Sequence, residues 1–298
     1  MALSKLYRKT IIVFAFSLFL ILFFSIQISA QYNYDHVNVT TRVNITDAMP
    51  EILNVTVDQD ITLNAGGTRI VTCNATIRDW NGFNDLDTVS ATFYYYLNES
   101  GDPDSGNVHY TNSSCVESSN DGEFIADYTC SFDVWYYANN GTWYCNVSVN
   151  DTYGFTDSAF NDTSINELYA LNVTDVIDYG DLAVTDTSPD ISAFITNFGN
   201  MDINVSVLGY GATEGDGYGL ICDYGGNIDV EHQRFSGYTV AWDDKFPLAA
   251  TEQDMNITLL QATDATAPVI WETFWQLYVP PNPFGLCTGT LRFTATSP

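Results

Sequence analysis

The sequence predicts an all-β protein, two tandem antiparallel β-sandwiches behind an N-terminal signal or anchor segment. Three observations carry this. Beyond residue 30 the apolar residues recur at every second position over short runs, and Gly, Asn, Asp and Pro break the runs. The six cysteines divide evenly, with Cys73, Cys115, Cys130 and Cys145 in the first half and Cys222 and Cys287 in the second. A chain of 298 residues, less its first 30, has room for two domains of ordinary size.

Residues 1–30 hold Lys5, Arg8 and Lys9 but no Asp or Glu. Ile11 to Ile28 is apolar apart from Ser17, Ser25 and Gln27, and small Ala30 precedes Gln31. A basic head, an apolar centre and a small exit residue are the parts of a secretory signal peptide. The same stretch also suffices for an uncleaved anchor, which needs about 18 apolar residues. On either reading residues 31–298 are exported to the cell surface or beyond.

All 37 acidic residues follow Ala30, against Arg42, Arg69, Arg78, Arg234, Lys245 and Arg292, so the exported part carries a formal charge near −31. That charge repels phosphate backbones and excludes nucleic acid as a partner. It also excludes docking on an anionic membrane through a basic patch, leaving membrane contact to the N-terminal segment. A hydrophobic content of 46% is too high for a disordered acidic tail.

Residues 31–49 read as an arm with strand-like pieces around Val37–Val39 and Val43–Ile45. The first sandwich spans 50–165, opening at Pro50. In Arg69–Ile77 the residues Val71, Cys73, Ala75 and Ile77 share one face, and Trp143, Cys145, Val147 and Val149 repeat the pattern. Cys115 and Cys130 flank Asn120-Asp121-Gly122, a strong turn signal, so a bridge between them staples one hairpin. Ser164-Ile165-Asn166-Glu167 has capping-box spacing and is the one helix candidate. The domain boundary falls near residues 161–172, beginning with the polar stretch from Asn161 to Ser164.

The second sandwich spans 166–298. Its strands are read from Ile203, Val205 and Val207, from Met255, Ile257 and Leu259, and from Trp271, Thr273, Trp275, Leu277 and Val279. Gly209 to Gly219 reads as a mobile glycine-rich loop. An even cysteine count in each half, with no Cys-x-x-Cys, argues for disulfides rather than zinc, including one in the second half from Cys222 and Cys287.

The segment Asn139-Asn140-Gly141-Thr142-Trp143-Tyr144-Cys145 resembles the Asp-x-Gly-x-Tyr-x-Cys approach to the sixth strand of immunoglobulin-like domains. Asn139 departs from the Asp of that pattern and Trp143 from its corner Tyr, while Trp80 lies too early for the family's core Trp. The resemblance implies that Cys73 and Cys145 form the bridge between the two sheets. In the second half, Ile195-Thr196-Asn197-Phe198-Gly199-Asn200 followed by Ile203–Val207 is similar to the strand–turn–strand segment of secreted archaeal and bacterial surface sandwiches, camelysin-like biofilm-fibre subunits among them. Cys287 to Ala295 resembles the closing strand of such domains. Neither likeness brings catalytic residues.

Asn-x-Ser/Thr occurs 13 times, at Asn38, Asn44, Asn54, Asn74, Asn98, Asn112, Asn140, Asn146, Asn150, Asn161, Asn172, Asn204 and Asn256. Chance use of this composition gives about four, so dense N-glycosylation of an exported surface is one reading. The competing reading is a set of strands with polar outer faces, since eight of the triplets have Val, Ile or Ala in the middle. Asn is depleted in strands, which that reading leaves unexplained. Register sends Asn74, Asn146, Asn204 and Asn256 to solvent.

His36, His109 and His232 are too scattered for a zinc hydrolase, and neither His-Glu-x-x-His nor Gly-x-Ser-x-Gly occurs. No catalytic residue and no cofactor is expected, with calcium as the one candidate. Asp79, Asn81, Asp85 and Asp87 gather hard oxygen ligands after the predicted second strand, and Asp102 to Asn107 does so again. Solvated turns rich in Asp and Asn are the rival explanation. Phe93 to Tyr96 and Trp135 to Tyr137 put rings on both strand faces, the outward ones suited to sugars or a partner subunit. The expected role is therefore a non-enzymatic structural or adhesive surface component, a glycosylated fibre or envelope subunit meeting copies of itself or other surface proteins. In fibre form the arm would complete a neighbour's sheet. The alternative is a module that binds carbohydrate or another surface ligand.

Overall fold

Alternating burial builds the long strands of the computed structural model, which describes residues 38–298. The leader and Val37 lie outside the described residues. Residues 38–46 carry no strand, and Val39, Val43 and Ile45 are exposed, so the piece expected at Val43–Ile45 is not a strand. A run of three alternating residues is too short to hold a strand without ladder bonds.

Residues from Asp47 to Pro298 form one compact unit. Its first eight strands are β1 (Glu51–Val57), β2 (Thr68–Arg78), β3 (Leu86–Tyr95), β4 (His109–Asn112), β5 (Val116–Asn120), β6 (Ile125–Trp135), β7 (Gly141–Asp151) and β8 (Thr156–Ile165). They make two antiparallel sheets, ordered β1-β2-β6-β5 and β4-β3-β7-β8. This is the immunoglobulin arrangement, with β4 added at the edge of the second sheet. Val71, Cys73, Ala75 and Ile77 of β2 face Trp143, Cys145, Val147 and Val149 of β7, all buried.

Cys73 and Cys145 bridge the two sheets, S–S 2.10 Å. Closing a loop of 72 residues removes about 4 kcal/mol of unfolded-state entropy in the chain model. Cys115 and Cys130 join at 2.01 Å beside the β5–β6 hairpin, whose turn is capped by the Asp121 carboxylate accepting the N–H groups of Glu123, Phe124 and Ile125. Trp143 takes the corner role directly, its indole N–H donating to the Asn139 carbonyl at 2.7 Å. Trp80 is exposed, beneath the Arg78 guanidinium.

The helix candidate at Ser164–Glu167 is instead the end of β8. Ile165 is an inward core residue at that point, and the backbone of Ile61 lies beside it, taking the N–H of Asn166 and donating to the carbonyl of Ser164. Packing of one apolar side chain and two ladder bonds override a short capping signal. The stretch from Asn161 to Ser164 is therefore strand, and the chain leaves β8 after Ile165.

The remaining strands are β9 (Leu171–Val173), β10 (Ile191–Asn197), β11 (Ile203–Tyr210), β12 (Tyr218–Cys222), β13 (Ile228–Asp229), β14 (Gln233–Ser236), β15 (Phe246–Pro247), β16 (Gln253–Leu259), β17 (Ile270–Leu277), β18 (Cys287–Thr288) and β19 (Thr290–Thr296). The sheet β15-β14-β17-β10-β9 packs on β16-β11-β19 over a core that includes Ile195, Val205, Ile257 and Trp275. A small third sheet, β13-β12-β18, holds the bridge between Cys222 and Cys287, which sit directly opposite each other.

The strand–turn–strand expected here is present, and because β10 and β11 belong to different sheets the turn Phe198–Asp202 is a corner crossing the sandwich. Trp271 is 40% exposed although Thr273 and Trp275 below it are buried. The glycine-rich segment is a loop over residues 211–217 between β11 and β12, in which the Asp216 carboxylate accepts the N–H groups of Gly211, Ala212, Thr213 and Tyr218. These bonds, that of Thr213 first, lower its pKa to about 2.

The two cores meet at a tight junction. Tyr136 and Tyr137, at the end of β6, pack with Ala262, Phe198 and Val269. Fully buried Asn200 donates from Nδ2 to the carbonyls of Ala138 and Asn166, while its Oδ1 accepts the Leu168 N–H.

Candidate functional site

The outer face of β4-β3-β7-β8 has the most organised exposed chemistry. Strand alternation turns Thr88, Ser90, Thr92 and Tyr94 of β3 outward, and register sets them beside Asn150, Ser148, Asn146 and Tyr144 of β7. On β8 the outward positions are Thr156, Ser158, Phe160 and Asp162. Two zones result. One is a groove of about 460 Å³ lined by Thr88, Ser90, Ser148, Asn150, Thr156 and Ser158.

The other zone is a row of rings running across four strands. His109 of β4 stacks on Tyr94 at 6.1 Å, Tyr94 meets Tyr144 at 5.8 Å, and Tyr144 meets Phe160 edge-on at 5.6 Å. Phe160 is 64% exposed, while the His109 ring is buried, held between Asp104 and the Ser100 carbonyl. Burial, followed by the neighbouring Tyr144, raises the Tyr94 pKa, so its hydroxyl stays a neutral donor. Rings flanking a hydroxyl-lined groove offer stacking and hydrogen bonding side by side. Sequence reasoning singled out the Phe93–Tyr96 run but not Phe160 or Tyr144; pairing of three distant strands is what aligns them.

At one end of this sandwich lies an acidic cluster. Asp79 and Asp85, two of the four residues expected to bind calcium, come together there with Asp47 and Asp151. The other two do not join. Asn81 spends its Oδ1 on the Ala48 N–H, and exposed Asp87 accepts the Thr88 hydroxyl. A signal for Asp151 was present: it continues the inward series Trp143, Cys145, Val147, Val149, just as Asp79 continues Val71, Cys73, Ala75, Ile77. Among the described residues no three His, Cys, Asp or Glu side chains are drawn in tightly enough to grip a metal as they stand. The second acidic loop is internally satisfied, with Asp102 accepting from Glu99 and Asn98 and Asp104 meeting His109 and Thr111.

No sequon asparagine is buried. Asn38, Asn44, Asn54, Asn74, Asn172 and Asn256 are exposed, and Asn98, Asn112, Asn140, Asn146, Asn150, Asn161 and Asn204 are half-buried. The neighbours of Asn74, Asn146, Asn204 and Asn256 point inward as register requires. Asn161 differs, because its Nδ2 donates to the Val55 carbonyl at 2.8 Å and ties β8 to β1.

No protein-family model matches the chain, and no curated protein matches it in sequence. The fold has loose structural likenesses. A chain of the chaperone–tip adhesion subunit complex from the Csu pili of Acinetobacter baumannii is 11% identical, with a TM-score of 0.38, covering 81% of this chain and 99% of that one. Carbohydrate-binding modules of a β-sandwich superfamily give 12% identity and a TM-score of 0.25, covering 84% and 96%. The C-terminal domain of the AgI/II polypeptide BspA of Streptococcus agalactiae gives 10% and 0.23, covering 84% and 96%.

Proposed function

We propose that the chain is an exported, non-enzymatic adhesive protein of the cell surface whose first sandwich holds carbohydrate on the outer face of β4-β3-β7-β8. The row Tyr94–Tyr144–Phe160 beside the hydroxyl groove carries this reading, because a sugar presents an apolar ring face to stack and hydroxyls to pair. A formal charge near −31 favours neutral over acidic glycans. Three disulfides fit an oxidising compartment outside the cytoplasm. The test is a glycan array probed with the exported chain. Each exposed ring contributes about 1 kcal/mol, so Phe160→Ala and Tyr144→Ala should each weaken retention about fivefold. No glycan held above background, or retention indifferent to both substitutions, rejects the reading.

A fibre role is favoured by one feature, the edge strand β5, which is exposed at all five positions and offers an unpaired ladder. On that reading the arm 31–49 of another copy supplies the added strand. Removal of residues 31–46 would then abolish oligomers seen by light scattering, whereas a chain that is monomeric with its arm intact rules out strand donation.

A further inference from the structure

Four carboxylates at the β2–β3 end of the first sandwich share an unusual arrangement. Each of the three in the body of the sandwich commits one oxygen to a local bond. Asp79 Oδ1 accepts the Asn81 N–H at 2.8 Å. Asp151 Oδ1 accepts the N–H groups of Tyr153 at 2.9 Å and Phe155 at 2.8 Å. Asp85 Oδ1 accepts the Thr152 hydroxyl, and its carbonyl takes the Thr152 N–H. In every case the other oxygen, Oδ2, is buried with no hydrogen-bond partner, and Asp47 Oδ2 is in the same state. Asp79 is 0% and Asp151 1% exposed, so these are core positions and not solvated turns.

Hydrogen bonds bring the four segments together: the Ala48 N–H donates to Asn81 Oδ1, and the Thr152 N–H and hydroxyl both donate to Asp85. Burial first, then the nearby carboxylates of Asp85 and Asp151, push the Asp47 and Asp79 pKa values up. Orphaned buried oxygens of like charge are costly, and a native chain retains them where something absent from the protein atoms completes the set. The local bonds anchor Asp79, Asp85 and Asp151 through one oxygen and leave the second buried without a partner. Hard anionic oxygens from irregular connections suit calcium, which takes six to eight oxygens in flexible geometry; magnesium demands a stricter octahedron.

We propose that Asp47, Asp79, Asp85 and Asp151 bind a calcium ion, which fastens the entry of the chain into its compact unit to the β2–β3 and β7–β8 connections. Without the ion, mutual repulsion holds the carboxylates apart; the ion draws them in. Water and backbone carbonyls supply the remaining ligands. The site stands independently of carbohydrate binding.

The test uses the whole exported chain, stripped with chelator and then titrated with calcium chloride. Expected are one calcium bound per chain by equilibrium dialysis and a melting temperature raised by about 5 °C or more at a hundredfold excess over Kd. Asp79→Asn and Asp151→Asn should each weaken binding at least tenfold, and Asp87→Asn should leave it unchanged. Should the two buried variants fail to fold, Asp47→Asn, in the half-exposed entry segment, gives the same readout. Calcium absent at about 5 mM, above the range of weak extracellular modules, overturns the proposal. So does binding that survives Asp47→Asn and Asp79→Asn undiminished. A metal-free chain that Asp79→Asn stabilises while calcium does nothing would mean that shared protons, and not a cation, complete the cluster.

Discussion

Single side chains in this protein do work that their neighbours in sequence do not reveal. Lys245, the only lysine beyond residue 9, is not a surface charge. Its ammonium is buried 2.9 Å from Asp190 and donates to the Ser236 hydroxyl and the Phe274 carbonyl, fixing β15 against β14 and β17. Trp143 has a comparable structural load. Its indole lies 4.8 Å from Phe93 in the bridge-centred core, and its N–H closes the corner before β7. Trp143→Phe removes that donor, leaves the Asn139 carbonyl short of a partner and opens a small void, at a cost of about 2 kcal/mol. Trp143→Tyr should cost less, because a hydroxyl serves this corner in immunoglobulin-like domains. Urea unfolding midpoints measure both; a Phe variant as stable as the parent removes the corner bond from the account.

Among elements, the strands with one wet face were legible and the very short ones were not. β2, β7 and β16 alternate cleanly because each buries one face, and β11 does so as far as Val207, so their inward residues can be read two by two. β13, β15 and β18 have two residues apiece, too few for any period, and are held by β12, β14 and the Cys222–Cys287 bridge. The acidic cluster was half legible, since Asp79 and Asp85 share a loop whereas Asp47 and Asp151 arrive from distant segments. The β10–β11 turn was legible but not its role as a corner, because Asn197 to Asn200 looks the same whichever sheet the next strand joins. Its glycine has a steric reason: a Cβ on Gly199 would stand 2.0 Å from the Leu168 carbonyl oxygen. Asn200 beside it caps three backbone groups across the junction. Asn200→Ala strands them, and should cost about 3 kcal/mol and lower the calorimetric transition by several degrees. A variant that melts with the parent would show that aromatic packing at Tyr136 and Phe198 alone couples the halves.

At the scale of the whole molecule, acidity and sequons describe one exterior. A formal charge of −28, near −31 over residues 31–298, keeps copies of the chain apart, and with Lys245 buried the remaining cations of residues 31–298 are arginines, of which Arg78 and Arg292 pair with Glu51, Glu214 and Glu252. The outer strand faces are left to Asn, Ser and Thr, which resist pairing less than charge does and gain most from a covering layer. If sugar forms that layer, occupancy must follow the accessibility of each amide nitrogen. Asn74, Asn172 and Asn256 are exposed and should be modified. Asn161 should not, because its Nδ2 is spent on Val55 and a glycan there would break the tie between β8 and β1. Glycopeptide mass spectrometry of the protein from its native source decides this site by site. A glycan on Asn161 would contradict the folded geometry, and bare asparagine at all three exposed sites would leave the excess of sequons to strand chemistry. Asn146 and Asn150 add a sharper constraint, since they lie on the sheet face assigned to carbohydrate binding. Modification there would fill the groove with the protein's own sugar, so adhesion through that face requires both to be unmodified in the molecules that bind.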